Sequence, residues 1–364
     1  MSLVLVVNAG SSTLKLSVLD DADAVVAAAD VDAWDGQDTS ALDKVIEQAG
    51  APDAIGHRVV HGGPDMRGPV VIDAEALATI EALTPLAPLH QPRALAGIRA
   101  ATALLPGVPA VACFDTAFHA TLPAAAATYA LPPAWRELGV RRYGFHGLSH
   151  EWASRRAAEL LGRPVEELRL VTAHLGAGAS LCAVAGGKSV DTTMGFTPLD
   201  GLVMATRAGS VDPGALTWLQ REHGLLASDV EAALERQSGL LGLFGPSGDM
   251  RDVEAGLAHH DPAARLAYDV YVHRLRSSVA SMTASLGGLD ALVFTGGVGE
   301  HSARVRADAS AGLAYLGLSL DPTANATAAA DANVGDPDAA AATLVVTSRE
   351  DRQIAAETRS VLAR

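Results

Sequence analysis

The sequence predicts an α/β protein made of two duplicated domains, and three observations carry that expectation. The chain opens with a strand, a turn of glycine and hydroxyl residues, and a second strand. The same unit recurs near the middle, and its second half alternates long helical patterns with short buried strands. The first copy begins with Leu3 to Val7, a continuous apolar run that reads as a strand buried on both faces. Asn8-Ala9-Gly10-Ser11-Ser12 is the turn, and the alternating residues 14 to 19 are the hairpin partner, carrying Lys15 at its start. The second copy is Leu170 to Val184, where Gly176 to Val184 repeats the separation of Gly10 to Val18 and His174 stands where Asn8 does. Two such turns with helices between them would present two phosphate-binding turns across one cleft.

Further along, Ser228 with Glu231 forms a capping-box pattern for a helix that Gly239 stops. Asp261-Pro262 is a capping residue with proline at the first helical position, and Tyr268, Val272, Leu275, Val279, Met282 and Leu286 recur at helical spacing up to Gly287-Gly288. Ala291 to Thr295 reads as a short buried strand ending in Gly296-Gly297-Val298-Gly299-Glu300. A glycine turn at the carboxyl end of a strand is where open α/β sheets bind ligands. Residues 321 to 343 read as a surface excursion before a strand at Leu344 to Thr347. Ile354, Ala355, Thr358, Val361 and Leu362 share one helical face in a tail expected to pack back on the first domain. The expected domains are therefore residues 1–147 with 351–364, and residues 148–350.

At 364 residues the chain is long enough for two domains. Its composition of 49% apolar and 19% charged residues is that of an ordinary globular protein. The net charge of −15 argues against a nucleic-acid or anionic membrane surface. Cys113 and Cys182 make no disulfide framework, and no basic leader or long apolar span precedes the first strand, so a soluble cytoplasmic protein is expected. Anion binding on such an acidic chain needs locally concentrated cations. Arg58, Arg141, Arg142, Arg207 and Arg251 lie beside glycines or apolar strands, a setting that suits bidentate recognition of carboxylate or phosphate. Asp115 follows an apolar strand and needs a partner.

Several alternatives fall on spacing. Cys182 to Ser189 lacks the first glycine and following helix of a phosphate-binding P-loop, and no dinucleotide fingerprint opens a helix. His57 with His61, and His146 with His150, have zinc-pair spacing but sit among glycines that interrupt a helix.

Seven segments in order, Asn8 to Lys15, Gly56 to Gly63, Phe114 to His119, Arg142 to His150, His174 to Ser180, Asp191 to Gly201 and Phe294 to Glu300, resemble the acetate kinase family. That family belongs to the superfamily of acetate and sugar kinases, heat-shock ATPases and actin. The resemblance implies two duplicated ribonuclease-H-like, actin-like ATPase domains with mixed sheets flanked by helices and the active site in the interdomain cleft. It implies reversible transfer of the ATP γ-phosphoryl group to acetate, with Mg²⁺ (Mn²⁺ as an alternative) and ATP/ADP as co-substrate, in a homodimer joined through the second domain.

Family roles carried to matching positions put Arg58 and Arg207 on the carboxylate and the transferring phosphoryl. His146 would donate to the developing equatorial charge, His90 and His174 line the phosphoryl site, and Asp115 orient an arginine or the nucleophile. Asn8, Ser12 and Lys15 would meet phosphates and metal-bound waters, and Glu350 the metal. Gly176 and Gly178 would face the nucleotide phosphates, with Asp249, Arg251, Gly296, Gly297, Val298 and Gly299 at the adenosine end. Val60, Leu89, Phe145 and Pro198 match the slot for the acetate methyl. Three departures stand out: Ala177 replaces the family's asparagine, the stretch from Lys15 to Arg58 is short, and Gly297 and His301 replace alanine and asparagine. The alternatives are a kinase of propionate or butyrate, a pyrophosphate-dependent kinase, and an ATP-binding switch without a carboxylate acceptor.

Overall fold

A computed structural model describes residues 2–10 and 13–363, in which the chain divides into two compact units. The first comprises Met1–Ala120, Phe145–Trp152 and Arg349–Arg364, and the second Thr121–Gly144 and Ala153–Ser348. Against the expected domains, residues 1–147 with 351–364 and residues 148–350, this division puts residues 121–144 in the second unit and residues 148–152 in the first.

The first unit is built on a six-stranded mixed sheet of β1 (Val4–Ala9), β2 (Thr13–Leu19), β3 (Val25–Asp32), β4 (Ala54–Val59), β5 (Val70–Val71) and β6 (Ala110–Phe114). Its spatial order is β3-β2-β1-β4-β6-β5. β2 pairs antiparallel with β1 and β3, β4 pairs parallel with β1 and β6, and β5 is antiparallel to β6. The second unit contains β7 (Arg169–Leu175), β8 (Ala179–Ala185), β9 (Lys188–Thr192), β10 (Ala291–Thr295), β11 (Ala332–Asn333) and β12 (Ala342–Val345), in the order β11-β12-β10-β7-β8-β9. Adding six to each strand number of the first sheet reproduces the second, with the same parallel and antiparallel pairings. The repeat found in the sequence is therefore a duplicated sheet.

β1 alternates between two cores, as an apolar run buried on both faces must. Val4 and Val6 pack with Cys113, Leu148, Ile354 and Ala355 under the C-terminal helix Glu350–Leu362, while Leu5, Val7 and Ala9 pack with Trp34, Leu42, Val45 and Ala101 on the other face. The tail thus returns to the first unit. Gly56 on β4 is where it closes, because a Cβ there would lie 2.5 Å from Thr358 Oγ1 and 2.6 Å from Ile354 Cγ2. Arg58, two residues on, shares that face. One helical turn before Ile354 is Glu350, and this register brings Glu350 to Arg58.

His57 points to the opposite face, toward the helix Gln91–Leu104, where its Nε2 is buried without a hydrogen-bond partner. Burial alone pulls the pKa of His57 down to about 3 and that of His61 down to about 4. Both are neutral when folded but accept protons near pH 6.5 when unfolded, so stability is complete above that pH and falls as pH drops toward 4. Each site contributes a slope of about 1.4 kcal/mol per pH unit in that window. Urea denaturation of the wild type and His57→Gln at pH 7, 6 and 5 should show a shallower loss for the variant; parallel losses would contradict it.

In the second unit the helix Pro262–Leu286 lies on β7, β8 and β9, capped by Asp261, whose carboxylate accepts from Ala263 N and Ala264 N, and ended by Gly287 at φ 66°. Other expected boundaries move. The helix read from Ser228 starts at Ala227, with Asp229 accepting from Leu226 N, and ends at Arg236; Gly239 begins the next helix. Gly296–His301 is a short helix following β10 directly. Residues 321–343 contain the helix Pro322–Thr327 and strand β11, with Asn325 and Val334 buried, and the strand expected at Leu344 to Thr347 is Ala342–Val345. None of the described helices is long and apolar enough to cross a membrane.

Candidate active site

In the first unit, four residues far apart in sequence converge at the carboxyl ends of the parallel strands. Arg58 from β4 grips Asp115, just past β6, through Nε at 3.0 and 3.1 Å and Nη2 at 2.6 Å. Arg58 Nη1 donates to Asn8 Oδ1 of β1 at 3.1 Å, and Asn8 Nδ2 donates to Glu350 Oε2 at 3.1 Å, which itself lies 3.9 Å from Arg58 Nε. Asp115 is 1% exposed. Burial opposes the charge on Arg58, but Asp115 and Glu350 outweigh it and hold the guanidinium protonated above its ordinary range. The bidentate clamp fixes the plane of the arginine.

Phe145, His146 and Gly147 lie beside this pair. Gly147 N donates to Asp115 O at 2.8 Å, and a Cβ on Gly147 would stand 2.3 Å from that oxygen, so only glycine fits. His146 has φ 58°, a left-handed conformation unusual for a side-chain-bearing residue and the kind of strain that collects at functional sites. Val60 and Phe145 are buried, whereas Leu89 is 40% exposed, so one expected wall of the methyl slot is open. His90 is the half-buried residue preceding the helix Gln91–Leu104. Lys15 is exposed on β2, opposite Asn8 in register, and Ser12 lies outside the described residues.

In the second unit, Arg207 is the telling residue. Its Nη1 donates to Pro198 O at 2.6 Å, and no carboxylate forms an ion pair with it among the described residues. Burial lowers its pKa, with Glu235 only partly offsetting. A desolvated cation only partly offset by its neighbours is costly, and an anion beside it would relieve that cost. His174 on β7 is half-buried opposite Ser180, and the β7–β8 turn closes by Gly176 N donating to Gly178 O at 2.9 Å.

Beside that turn is a cavity of about 540 Å³, a size that suits a nucleotide. Of the expected nucleotide residues, Gly176, Asp249, Arg251, Gly297 and Val298 line it, together with Ala177, Met250, Glu254 and Tyr271. Gly178, Gly296 and Gly299 are not part of its lining. Gly296 instead allows close approach to Leu175, whose carbonyl oxygen would lie 2.8 Å from a Cβ, and Gly299 offers its carbonyl to Arg306.

Besides Arg58, three more of the five arginines singled out are already engaged. Arg142 donates to Thr193 O and Met194 O, lies 3.6 Å from Asp200 and stacks on Tyr129; Arg141 lies over Tyr143; exposed Arg251 is clamped by Asp249 at 2.5 Å. Local sequence missed Arg306. Fully buried, it donates to Gly299 O, Glu300 O, Asn325 Oδ1 and Asn325 O, satisfying the last carbonyls of the Gly296–His301 helix that carries part of the cavity wall. An arginine four residues from the cap Ser302 carries no sequence mark of that role.

No group of three or more His, Cys, Asp or Glu side chains is placed to hold a metal ion among the described residues. The donors present fit Mg²⁺, which takes one or two carboxylates and fills its shell with water and substrate phosphate. Glu350 would supply the carboxylate; the Asn8 oxygen accepts from Arg58, so Asn8 would suit a bound water better than the ion itself.

The fold and site together define a duplicated mixed α/β protein with a buried arginine bonded to a single carbonyl and a nucleotide-sized cavity. The chain belongs to the acetokinase family, whose model matches residues 37–356. The acetate kinase of Synechococcus sp. (strain JA-2-3B'a(2-13)) is 51% identical over 329 residues, which cover 90% of this chain and 80% of that protein. The crystal structure of Porphyromonas gingivalis acetate kinase superposes with a TM-score of 0.93 at 36% identity, covering 100% of both chains. A propionate kinase from Francisella tularensis subsp. tularensis SCHU S4 gives 0.90 at 36% identity, covering 99% of this chain and 100% of that one.

Proposed function

We propose that the protein transfers the γ-phosphoryl group of ATP reversibly to acetate, giving acetyl phosphate and ADP, with Mg²⁺ neutralising charge on the phosphates. The observation that carries this reading is Arg207, a buried guanidinium bonded to one carbonyl and paired with no carboxylate among the described residues. Acetate is ionised at neutral pH and needs no general base. Its oxygen attacks phosphorus in line, so the residues contribute position and charge rather than covalent chemistry.

In this reading Asp115 holds the Arg58 guanidinium in plane for the acetate carboxylate, and Arg207 takes charge on the transferring phosphoryl. His146 donates to the equatorial oxygens, with His90 and His174 along the phosphoryl path. Glu350 holds the ion, Asn8, Ser12 and Lys15 meet its waters and the phosphates, and the β7–β8 turn with Gly176 and Gly178 meets the donor's phosphates. Asp249, Arg251, Gly297 and Val298 border the adenosine, with Gly296 and Gly299 shaping the helix behind them. We read each unit as a ribonuclease-H-like domain, supported by the shared strand order. A homodimer through the second unit is supported by the helices Pro213–His223 and Ala227–Arg236, which bury no residue and expose Trp218 and, at the second helix's cap, Leu226.

The cavity favours ATP over pyrophosphate as donor, since an inorganic donor would leave it unfilled. The family resemblance assigns Val60, Leu89, Phe145 and Pro198 to the methyl slot, and Leu89 is exposed. One methylene is worth about 1–3 kcal/mol in such a slot, so propionate should be used about 10- to 200-fold less efficiently than acetate. Comparing kcat/KM across acetate, propionate and butyrate with ATP or pyrophosphate tests both points; a preference for propionate, or for pyrophosphate, would overturn them.

A further inference from the structure

We propose that His119 is a positioning residue for His146, holding the strained peptide that presents its imidazole; this rests on the reading of the site given above. His119 lies in the 3-10 segment Ala117–Thr121, four residues beyond Asp115, and is fully buried. Its Nε2 lies 3.0 Å from Phe145 O. A carbonyl oxygen can only accept, so that nitrogen carries the proton and the tautomer is fixed. The bond falls on the peptide entering His146, whose φ is 58°.

The peptide leaving His146 is fixed too, by Gly147 N donating to Asp115 O at 2.8 Å. His146 is therefore pinned on both sides from one segment, Asp115 to His119. Its left-handed conformation persists because the surroundings over-determine it. The aromatic packing completes the support. His119 stands edge-on to His150 at 5.7 Å between centroids, His150 is 6.5 Å from His146, and the Phe145 ring meets His61 at 5.5 Å.

Without the His119 donor, the Phe145 carbonyl loses the partner that holds its peptide plane, and His146 relaxes to a conformation that carries its ring away from the phosphoryl group. Binding of ATP, which rests on residues elsewhere, is spared. The same segment orients the Asp115 carbonyl and carboxylate, so Arg58 and His146 are set in place as one piece.

The test compares His119→Gln, whose amide reaches the same carbonyl, with His119→Asn, whose amide falls short, and with His119→Leu. Asn and Leu should lower kcat by about 10- to 100-fold with the KM for ATP within about twofold, while Gln stays within about fivefold of wild type. Equal kcat in all, or equal loss in Gln and Asn, would overturn the positioning role. If Leu does not fold, the Gln and Asn pair carries the comparison alone. A wild-type protein that forms no acetyl phosphate would instead overturn the functional reading on which the inference rests.

Discussion

Replacing Arg207 with alanine is expected to abolish acetyl-phosphate formation, lowering kcat by about 1,000-fold or more, while leaving the fold as stable as before. Both halves follow from the same geometry. The guanidinium gives one hydrogen bond to Pro198 O, forms no ion pair among the described residues and meets only a partial offset from half-buried Glu235, so its charge is available for a substrate anion and its removal strands no fully buried partner. Burial already pulls its pKa down, which marks the charge as a cost to the folded state. The melting temperature of Arg207→Ala should therefore stay level or rise. The nucleotide cavity has its own lining, and equilibrium binding of ATP should change by no more than about threefold. Full activity in Arg207→Ala would remove the residue from the phosphoryl site.

Arg58→Ala should lose activity to a comparable degree and, unlike Arg207→Ala, should also destabilise the protein. Asp115 is buried and accepts three of Arg58's hydrogen bonds, and Asn8 and Glu350 lean on the same guanidinium. Breaking a buried ion pair by removing one partner costs about 3–5 kcal/mol, because the other charge remains uncompensated. Adding Asp115→Asn to Arg58→Ala removes that stranded charge, so the double variant should regain much of the stability and none of the activity. Urea denaturation and initial rates on the same preparations separate the two effects; a double variant as unstable as the single one would contradict the account of the pair.

Local patterns recovered the architecture because it repeats. The match of Gly10 to Val18 with Gly176 to Val184 exposed the duplication, and the uninterrupted period with an Asp-Pro start made the helix Pro262–Leu286 plain. The site was less legible. Asn8, Arg58, Asp115 and Glu350 meet only because the helix Glu350–Leu362 closes on β4 at Gly56, and no local signal spans 342 residues. Their convergence was expected from the family resemblance alone. Arg142 looked as much an anion ligand as Arg207 did, for both lie beside glycines; what separates them is Asp200, Tyr129 and two carbonyls brought in by tertiary structure. The helix start misplaced at Ser228 has the same origin, since Asp229 binding back to Leu226 N offered an earlier beginning than the hydroxyl pattern indicated.

The most direct test of the central claim is to trap acetyl phosphate with hydroxylamine from the purified protein. Product should appear when ATP, acetate and Mg²⁺ are present together, and not when any one is omitted. Folded protein that binds ATP yet forms no acetyl phosphate at millimolar substrates, or forms it with pyrophosphate in place of ATP, would contradict the account.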